Sequence, residues 1–308
     1  MRGIRKLIAT IIVMASIFAM IPAGSVFAAG YTGWKLDDSG NYRYYVNDVM
    51  QTGWIQSKQT KKWYYCDPNN DGIMITDNYY SEGSESNWKL YYFDKTGAMV
   101  TNCWKIVDSG SYAGKTINLY TYFGSSGACV TGWKKISGKW YYFHPEEPIA
   151  LFGGPFEIKG TTYVFGDDCA LIERKGWYHC TLSMVFGPGD YWFYTNSDGT
   201  AVKGWKKISG KWYYFNPDQY GAMVTGIRKI GSETYAFASS GAMAANKWIE
   251  IEENTWAYAS GSGAFVRSDW KYISGYWYYF DNSGIMVTDT VIDGWVIDEN
   301  GHYVGKAE

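Results

Sequence analysis

The chain has little of what marks an enzyme, a metal protein or a nucleic-acid binder. Of its 308 residues, 3 are His, 5 are Cys and 7 are Pro. The cysteines, Cys66, Cys103, Cys129, Cys169 and Cys180, are too sparse for a disulfide framework, and an odd number cannot all pair internally. Cys103 and Cys129 could bridge in an oxidising exterior. The plainer reading is a small buried hydrophobe, because Cys129 stands in Gly127-Ala128-Cys129-Val130-Thr131, where Met recurs elsewhere. His179-Cys180 with Cys169 matches no zinc spacing, so neither a metal nor a cofactor is expected. Asp67-Pro68-Asn69-Asn70-Asp71-Gly72 opens like a calcium loop, but Asn78 stands where the bidentate Glu is needed. A hairpin loop explains it better.

Catalytic signatures are missing too. There is no Gly-x-Ser-x-Gly elbow, no nucleophilic Cys with a positioned His and no P-loop. Glu146-Glu147, and Glu250 with Glu252 and Glu253, are the nearest to carboxylate pairs, and nothing sets them across a cleft. Apolar residues at helical spacing are absent outside the N-terminus. There Arg2, Arg5 and Lys6 precede an apolar run from Leu7 to Ile21, and Val26-Phe27-Ala28 fits a cleavage site. The run is short for a span of about 20 residues and is broken by Pro22-Ala23-Gly24. A signal peptide over residues 1–28 is therefore expected, with secretion and no transmembrane anchor after cleavage. Losing those three of the 28 cations leaves 25 against 30 acidic residues, with no basic run, which argues against nucleic acid as partner.

What the chain has in plenty is aromatic residues and glycine: 16 Trp, 29 Tyr, 14 Phe and 36 Gly. That composition suits short strands joined by Gly turns. The stretch Gly132-Trp133-Lys134-Lys135-Ile136-Ser137-Gly138-Lys139-Trp140-Tyr141-Tyr142-Phe143 recurs letter for letter as Gly204 to Phe215. The second copy continues to Gly221-Ala222-Met223-Val224-Thr225, and a new unit starts at Gly226. Such self-similarity marks a repeat architecture. Each unit reads as a β-hairpin, with aromatic and branched strands around a two-residue Ser-Gly turn. A lone hairpin is marginal in water, so the units must stack, and an all-β solenoid of about twelve hairpin repeats is expected. The expected divisions are a repeat array over 29–153, degenerate long-loop repeats over 154–203, and a second array with a cap over 204–308. The prolines between Pro145 and Pro155 mark a bend between sub-arrays.

The pattern Gly-Trp-x-x-x-x-Gly-x-Trp-Tyr-Tyr-Phe, followed by Gly-x-Met-x-Thr-Gly-Trp, resembles the choline-binding, or cell-wall-binding, repeat of Gram-positive surface proteins. The glucan-binding repeats of glucosyltransferases and clostridial toxins are related to it. The resemblance covers roughly Gly33 to Gly305. It implies a left-handed solenoid that binds choline on teichoic acids at the junctions of consecutive hairpins. It further implies sites made of two Trp from one repeat and an aromatic from the next, with a Met nearby. Aromatic faces suit a quaternary ammonium, which has charge but no N–H to donate.

Carried over residue by residue, the motif implies seven sets. These are Trp54, Trp63 and Tyr91; Trp104, Tyr120 and Tyr141; Trp133, Trp140 and Tyr163; and Trp177, Trp192 and Tyr213. The remaining three are Trp205, Trp212 and Tyr235; Trp248, Trp256 and Tyr278; and Trp270, Trp277 and Tyr303. Thr121, Thr162, and Ile227 with Thr234 stand where a cage wall belongs, so several junctions should bind nothing. Since repeats follow the signal directly, the first expectation is a non-catalytic protein held on choline or a wall polysaccharide. Glucan recognition is the second. A wall hydrolase with its site in Pro148 to Phe193 is the third, and an adhesin meeting a partner protein through the long-loop units is the fourth.

Overall fold

The computed structural model describes residues 30–84, 87–112 and 114–307. The expected signal peptide, 1–28, lies outside them. Among the described residues the chain is all-β apart from one 3-10 turn, Pro217–Gln219. The strands form twelve small antiparallel sheets, one per repeat.

The chain divides between Leu151 and Phe152 into two compact units. The first holds five hairpins: Gly33–Leu36 with Tyr42–Val46, Gly53–Gln56 with Trp63–Asp67, Asn78–Glu82 with Lys89–Phe93, Cys103–Tyr112 with Lys115–Phe123, and Gly132–Ile136 with Lys139–Phe143. The second unit begins with the sixth to ninth: Gly154–Ile158 with Thr161–Phe165, Gly176–Ser183 with Gly187–Thr195, Gly204–Ile208 with Lys211–Asn216, and Gly226–Ile230 with Glu233–Phe237. It ends with the tenth to twelfth: Lys247–Glu252 with Thr255–Ala259, Asp269–Ile273 with Tyr276–Phe280, and the terminal Thr290–Ile292 with Trp295–Ile297, to which Tyr303–Lys306 adds a third strand.

The two identical stretches fold identically. Trp133 lies across from Tyr142 and Trp205 from Tyr214, with Lys134 opposite Tyr141 and Lys206 opposite Tyr213. The turn is tighter than glycine alone requires. Ser137 and Gly138 both take positive φ, 48° and 87°, as do Ser209 and Gly210 at 48° and 82°. Positive φ at both central residues gives the primed turn whose twist matches the flanking strands.

Within each unit, neighbouring hairpins are joined through their Gly-x-Met-x-Thr or variant tails. Within the repeat, the tail folds back so that the N–H of Val100 reaches Tyr92, and Val224 reaches Tyr214. Between repeats, the N–H of Met99 donates to the carbonyl of Trp63, Met243 to Trp212, and Met286 to Trp256, at 2.7–2.8 Å. Cys129 makes the same bond to Leu90, so it does occupy a Met position, and all five thiols are free. The Met side chains lie over the glycine of the following tail. A Cβ on Gly97 would stand 2.5 Å from Met74 Cε, and one on Gly301 2.8 Å from Met286 Sδ. The residue paired with the first of each hairpin is buried in most repeats: Phe93, Phe123, Phe143, Phe165, Phe215 and Phe280 wholly so, with Cys66, Thr195, Ala259 and Ile297 at the same position elsewhere.

Candidate functional site: aromatic seams between hairpins

Strand alternation gives every hairpin two faces. The leading Trp, the second Trp and the second Tyr point toward the next hairpin. The first Tyr and the Phe point toward the previous one. In five seams this brings the leading Trp into the same cluster. Trp54, Trp104, Trp177, Trp205 and Trp248 lie 4.7–5.0 Å from Tyr91, Tyr141, Tyr213, Tyr235 and Tyr278 of the following hairpin. The same five rings lie 5.5–5.8 Å from the following Phe93, Phe143, Phe215, Phe237 and Phe280. Tilted and edge-to-face pairs of this kind add about 0.5–1.5 kcal/mol each beyond the area they bury. The leading Trp is therefore a joint between hairpins.

The second Trp is the open wall. Its ring stands nearly perpendicular to the leading one: 6.3 Å and 84° for Trp54–Trp63, 6.2 Å and 88° for Trp133–Trp140, 6.3 Å and 81° for Trp177–Trp192, 6.5 Å and 85° for Trp205–Trp212. Tyr120 takes this role beside Trp104, at 6.5 Å and 87°. Trp63, Trp192 and Trp212 remain 36–42% exposed. Two rings at a right angle, one of them open to solvent, with a third face 5 Å away, form a corner that can hold a compact cation.

Of the seven implied sets, four have all three residues on one seam face: Trp104/Tyr120/Tyr141, Trp177/Trp192/Tyr213 and Trp205/Trp212/Tyr235, each with the perpendicular corner, and Trp248/Trp256/Tyr278. Trp256 is placed there by register, two residues before Tyr258, which faces Trp248 at 5.2 Å. Tyr163 belongs to the second unit, opposite Phe156 of its own hairpin, whereas Trp133 and Trp140 belong to the first.

The set Trp54/Trp63/Tyr91 is brought together but filled. Tyr80, which lies across from Tyr91, stacks on Tyr65 at 3.9 Å, and their hydroxyls hydrogen-bond at 2.7 Å. Glu82 accepts from Trp54 Nε1 and from the Tyr91 hydroxyl, both at 3.0 Å. Burial, with the Glu82 hydrogen bond, pushes the Tyr91 hydroxyl up to about 12. The set Trp270/Trp277/Tyr303 is looser. Tyr303 lies 6.1 Å from Trp270 in the slot that Met fills in other tails, while Trp295 occupies the position of the first Tyr. Trp277 leans on Tyr272 of its own hairpin at 5.4 Å.

The seams with missing walls are built differently. Between the third and fourth hairpins Thr121 is buried, and the Lys105 ammonium lies 3.9 Å above the Tyr92 ring, an internal cation in a degenerate seam. Val164, Cys180 and Phe193 form an apolar cluster at the sixth–seventh seam. At the ninth–tenth seam Ala236, Ala257, Ala259 and Phe265 pack with Ile227 and Ile249. The histidines serve local contacts: His144 Nδ1 accepts backbone N–H groups of Glu146 and Glu147, His179 pairs with Asp190, and His302 stacks on Tyr276. One aromatic seam went unassigned by the motif. Trp34 lies 5.2 Å from Tyr64 of the second hairpin, on the face that also carries Tyr42. The visible signal was Gly33-Trp34; Tyr42 in place of Trp masked it.

Comparison with known proteins agrees with this architecture. The model described as choline-binding repeat matches residues 202–248, and the one described as putative cell wall binding repeat matches 52–74, 131–144 and 268–286. Glucosyltransferase-S of Streptococcus mutans is 26% identical over 84% of this chain, which spans only 20% of that protein. The chain thus spans about a fifth or less of the curated glucosyltransferases it matches. The structure of CbpJ from Streptococcus pneumoniae is 26% identical, with a TM-score of 0.56 over 88% of this chain and 100% of that one. Choline binding protein F of the same species, at 23% identity, shares the fold with a TM-score of 0.53 over 89% of this chain and 98% of that one. By motif, by matched repeats and by fold, the chain carries repeats of the choline-binding, or cell-wall-binding, type.

Proposed function

We propose that the protein is a non-catalytic anchor that attaches to choline-bearing wall polymer of the teichoic-acid type through the open aromatic seams. The observation that carries this is the recurring corner, two rings near 85° apart closed by a tyrosine from the next repeat. A quaternary ammonium gains about 0.5–2 kcal/mol from each aromatic face, more as the corner sheds water. The described residues are taken up by repeats, and no cluster of three or more His, Cys, Asp and Glu able to hold a metal occurs among them. Secretion by the expected signal peptide and retention at the cell surface complete this reading.

Calorimetry with choline tests it. Replacing Trp205 and Trp212 by Ala should lower the stoichiometry by one site in a variant that keeps its far-ultraviolet spectrum. Unchanged stoichiometry would remove this seam from the list of sites. A second reading, glucan binding, is favoured by the glucosyltransferase match along 84% of the chain. Release from cells by millimolar choline supports the anchor, and release by soluble dextran the glucan reading. A zymogram on purified walls checks the absence of catalysis, since clearing would overturn it.

A further inference from the structure

The open seams share their rings but not their charges. In antiparallel pairs directly opposed residues share a face, with Cβ atoms about 5 Å apart. Two such neighbours flank each cage, one opposite the second Trp and one opposite the next tyrosine. At the eighth–ninth seam they are Lys207, opposite Trp212, and Arg228, opposite Tyr235. At the tenth–eleventh seam they are Glu250, opposite Trp256, and Lys271, opposite Tyr278. At the seventh–eighth seam His179 stacks on Trp192 at 4.3 Å while paired with Asp190, and Lys206 stands opposite Tyr213. The first of these cages is thus flanked by two cations and the second by one charge of each sign.

An acidic residue on the strand that carries Tyr235 is already engaged. Glu233, at the start of the strand that carries Tyr235, accepts from Arg267 Nη2 and from the Ser232 hydroxyl at 2.9 and 3.0 Å. Arg228 donates one Nη1 hydrogen bond to the Ile227 carbonyl at 2.8 Å, which holds its guanidinium against the hairpin. A bare quaternary ammonium entering between Lys207 and Arg228 meets repulsion from both. The same ammonium carrying an anionic group a few bonds away meets aromatic faces at one end and two cations at the other.

We infer that Lys207 and Arg228 make the Trp205/Trp212/Tyr235 seam selective for a zwitterion, an alkylammonium joined to a phosphate, over the free ammonium. The Trp248/Trp256/Tyr278 seam, with Glu250 beside it, accepts both alike. This rests on the reading of the seams as ammonium cages and assigns each cage its own ligand preference. The repeats are then not equivalent copies, and the charge opposite the second Trp sets which chemical form each one takes.

Fluorine NMR of the full chain labelled with 5-fluorotryptophan resolves the seams, with Trp212 and Trp256 resonances assigned by Trp→Phe variants. Titrations with choline and with phosphocholine then give an affinity ratio at each. The ratio at Trp212 should favour phosphocholine by about tenfold at low salt, the scale of two partly exposed charges acting over several ångströms. It should shrink at 1 M salt, where screening reaches about 3 Å, and the ratio at Trp256 should stay near unity. The double variant K207Q/R228Q should lose the preference at Trp212 while keeping choline binding. Equal ratios at the two seams, or a preference unchanged in the double variant, overturns this inference and leaves the cages standing. If neither ligand moves the Trp212 resonance, both the inference and the cage reading of this seam are overturned.

Discussion

At the scale of single residues, glycine and tyrosine carry more than the motif suggests. Gly97 takes φ +77° beneath the Met74 side chain, whereas Gly138, at +87° in a hairpin turn, has open space where a Cβ would go. Gly138→Ala should therefore cost only the strain of left-handed backbone, about 1–2 kcal/mol, and Gly97→Ala about 2–4 kcal/mol. Urea unfolding of the two variants measures the difference, and equal losses would mean that the methionine yields. Tyr91 and Tyr92 offer a second residue-scale test. Burial, followed by hydrogen bonds to Glu82 and Asp77, pushes both hydroxyls up to about 12. A raised value in the folded state gives stability that is complete below pH 10 and lost as pH rises through about 12. Absorbance at 295 nm should show a group of late-ionising tyrosines that includes Tyr91 and Tyr92 alongside the more strongly raised Tyr80 and Tyr178, and Glu82→Gln should bring Tyr91 forward. The motif placed Tyr91 in a seam but gave no sign of either hydroxyl's partner, because Glu82 and Asp77 are contributed by contact rather than by the repeat motif.

At the scale of the hairpin and its seam, the partner opposite the first Tyr decides whether a cage is open. In the open seams it is Lys134, Lys206, Arg228 or Lys271; in the second–third seam it is Tyr80, which fills the corner. Tyr80→Lys should open that seam and raise choline stoichiometry by one, read by calorimetry. A count that does not rise would place the obstruction in Glu82 instead. The Trp and Tyr walls were legible in the sequence, since the motif names them and alternation assigns their faces. Tyr80 was not, because it lies at a position where the motif permits any residue. Lys105 escaped for the same reason: a lysine in a variable position gave no hint that it would lie over the Tyr92 ring.

At the scale of the whole molecule, cohesion is local. Within each unit, neighbouring repeats are joined by tail hydrogen bonds and, in many seams, by a Met-on-Gly contact or a leading Trp, as expected of stacked arrays whose stability is a sum of neighbour terms. Of the four sets that share one seam face, the unit Phe152–Glu308 holds three and the unit ending at Leu151 holds one. A ligand at one hundred times its dissociation constant adds about 2.7 kcal/mol per occupied site. Calorimetric scans in choline should therefore shift the transition of the second unit further than that of the first. Equal shifts would place sites outside these four sets.

The sequence alone determined the hairpins, their number and the faces of their aromatic residues, because those depend on a period of two along each strand and on a turn that two residues specify. Which seams are open, which are filled by Tyr80, Lys105 or alanines, and which charges border each cage was decided only by the tertiary structure. Those features belong to pairs of neighbouring repeats, and a pair is defined by stacking rather than by any one unit's residues.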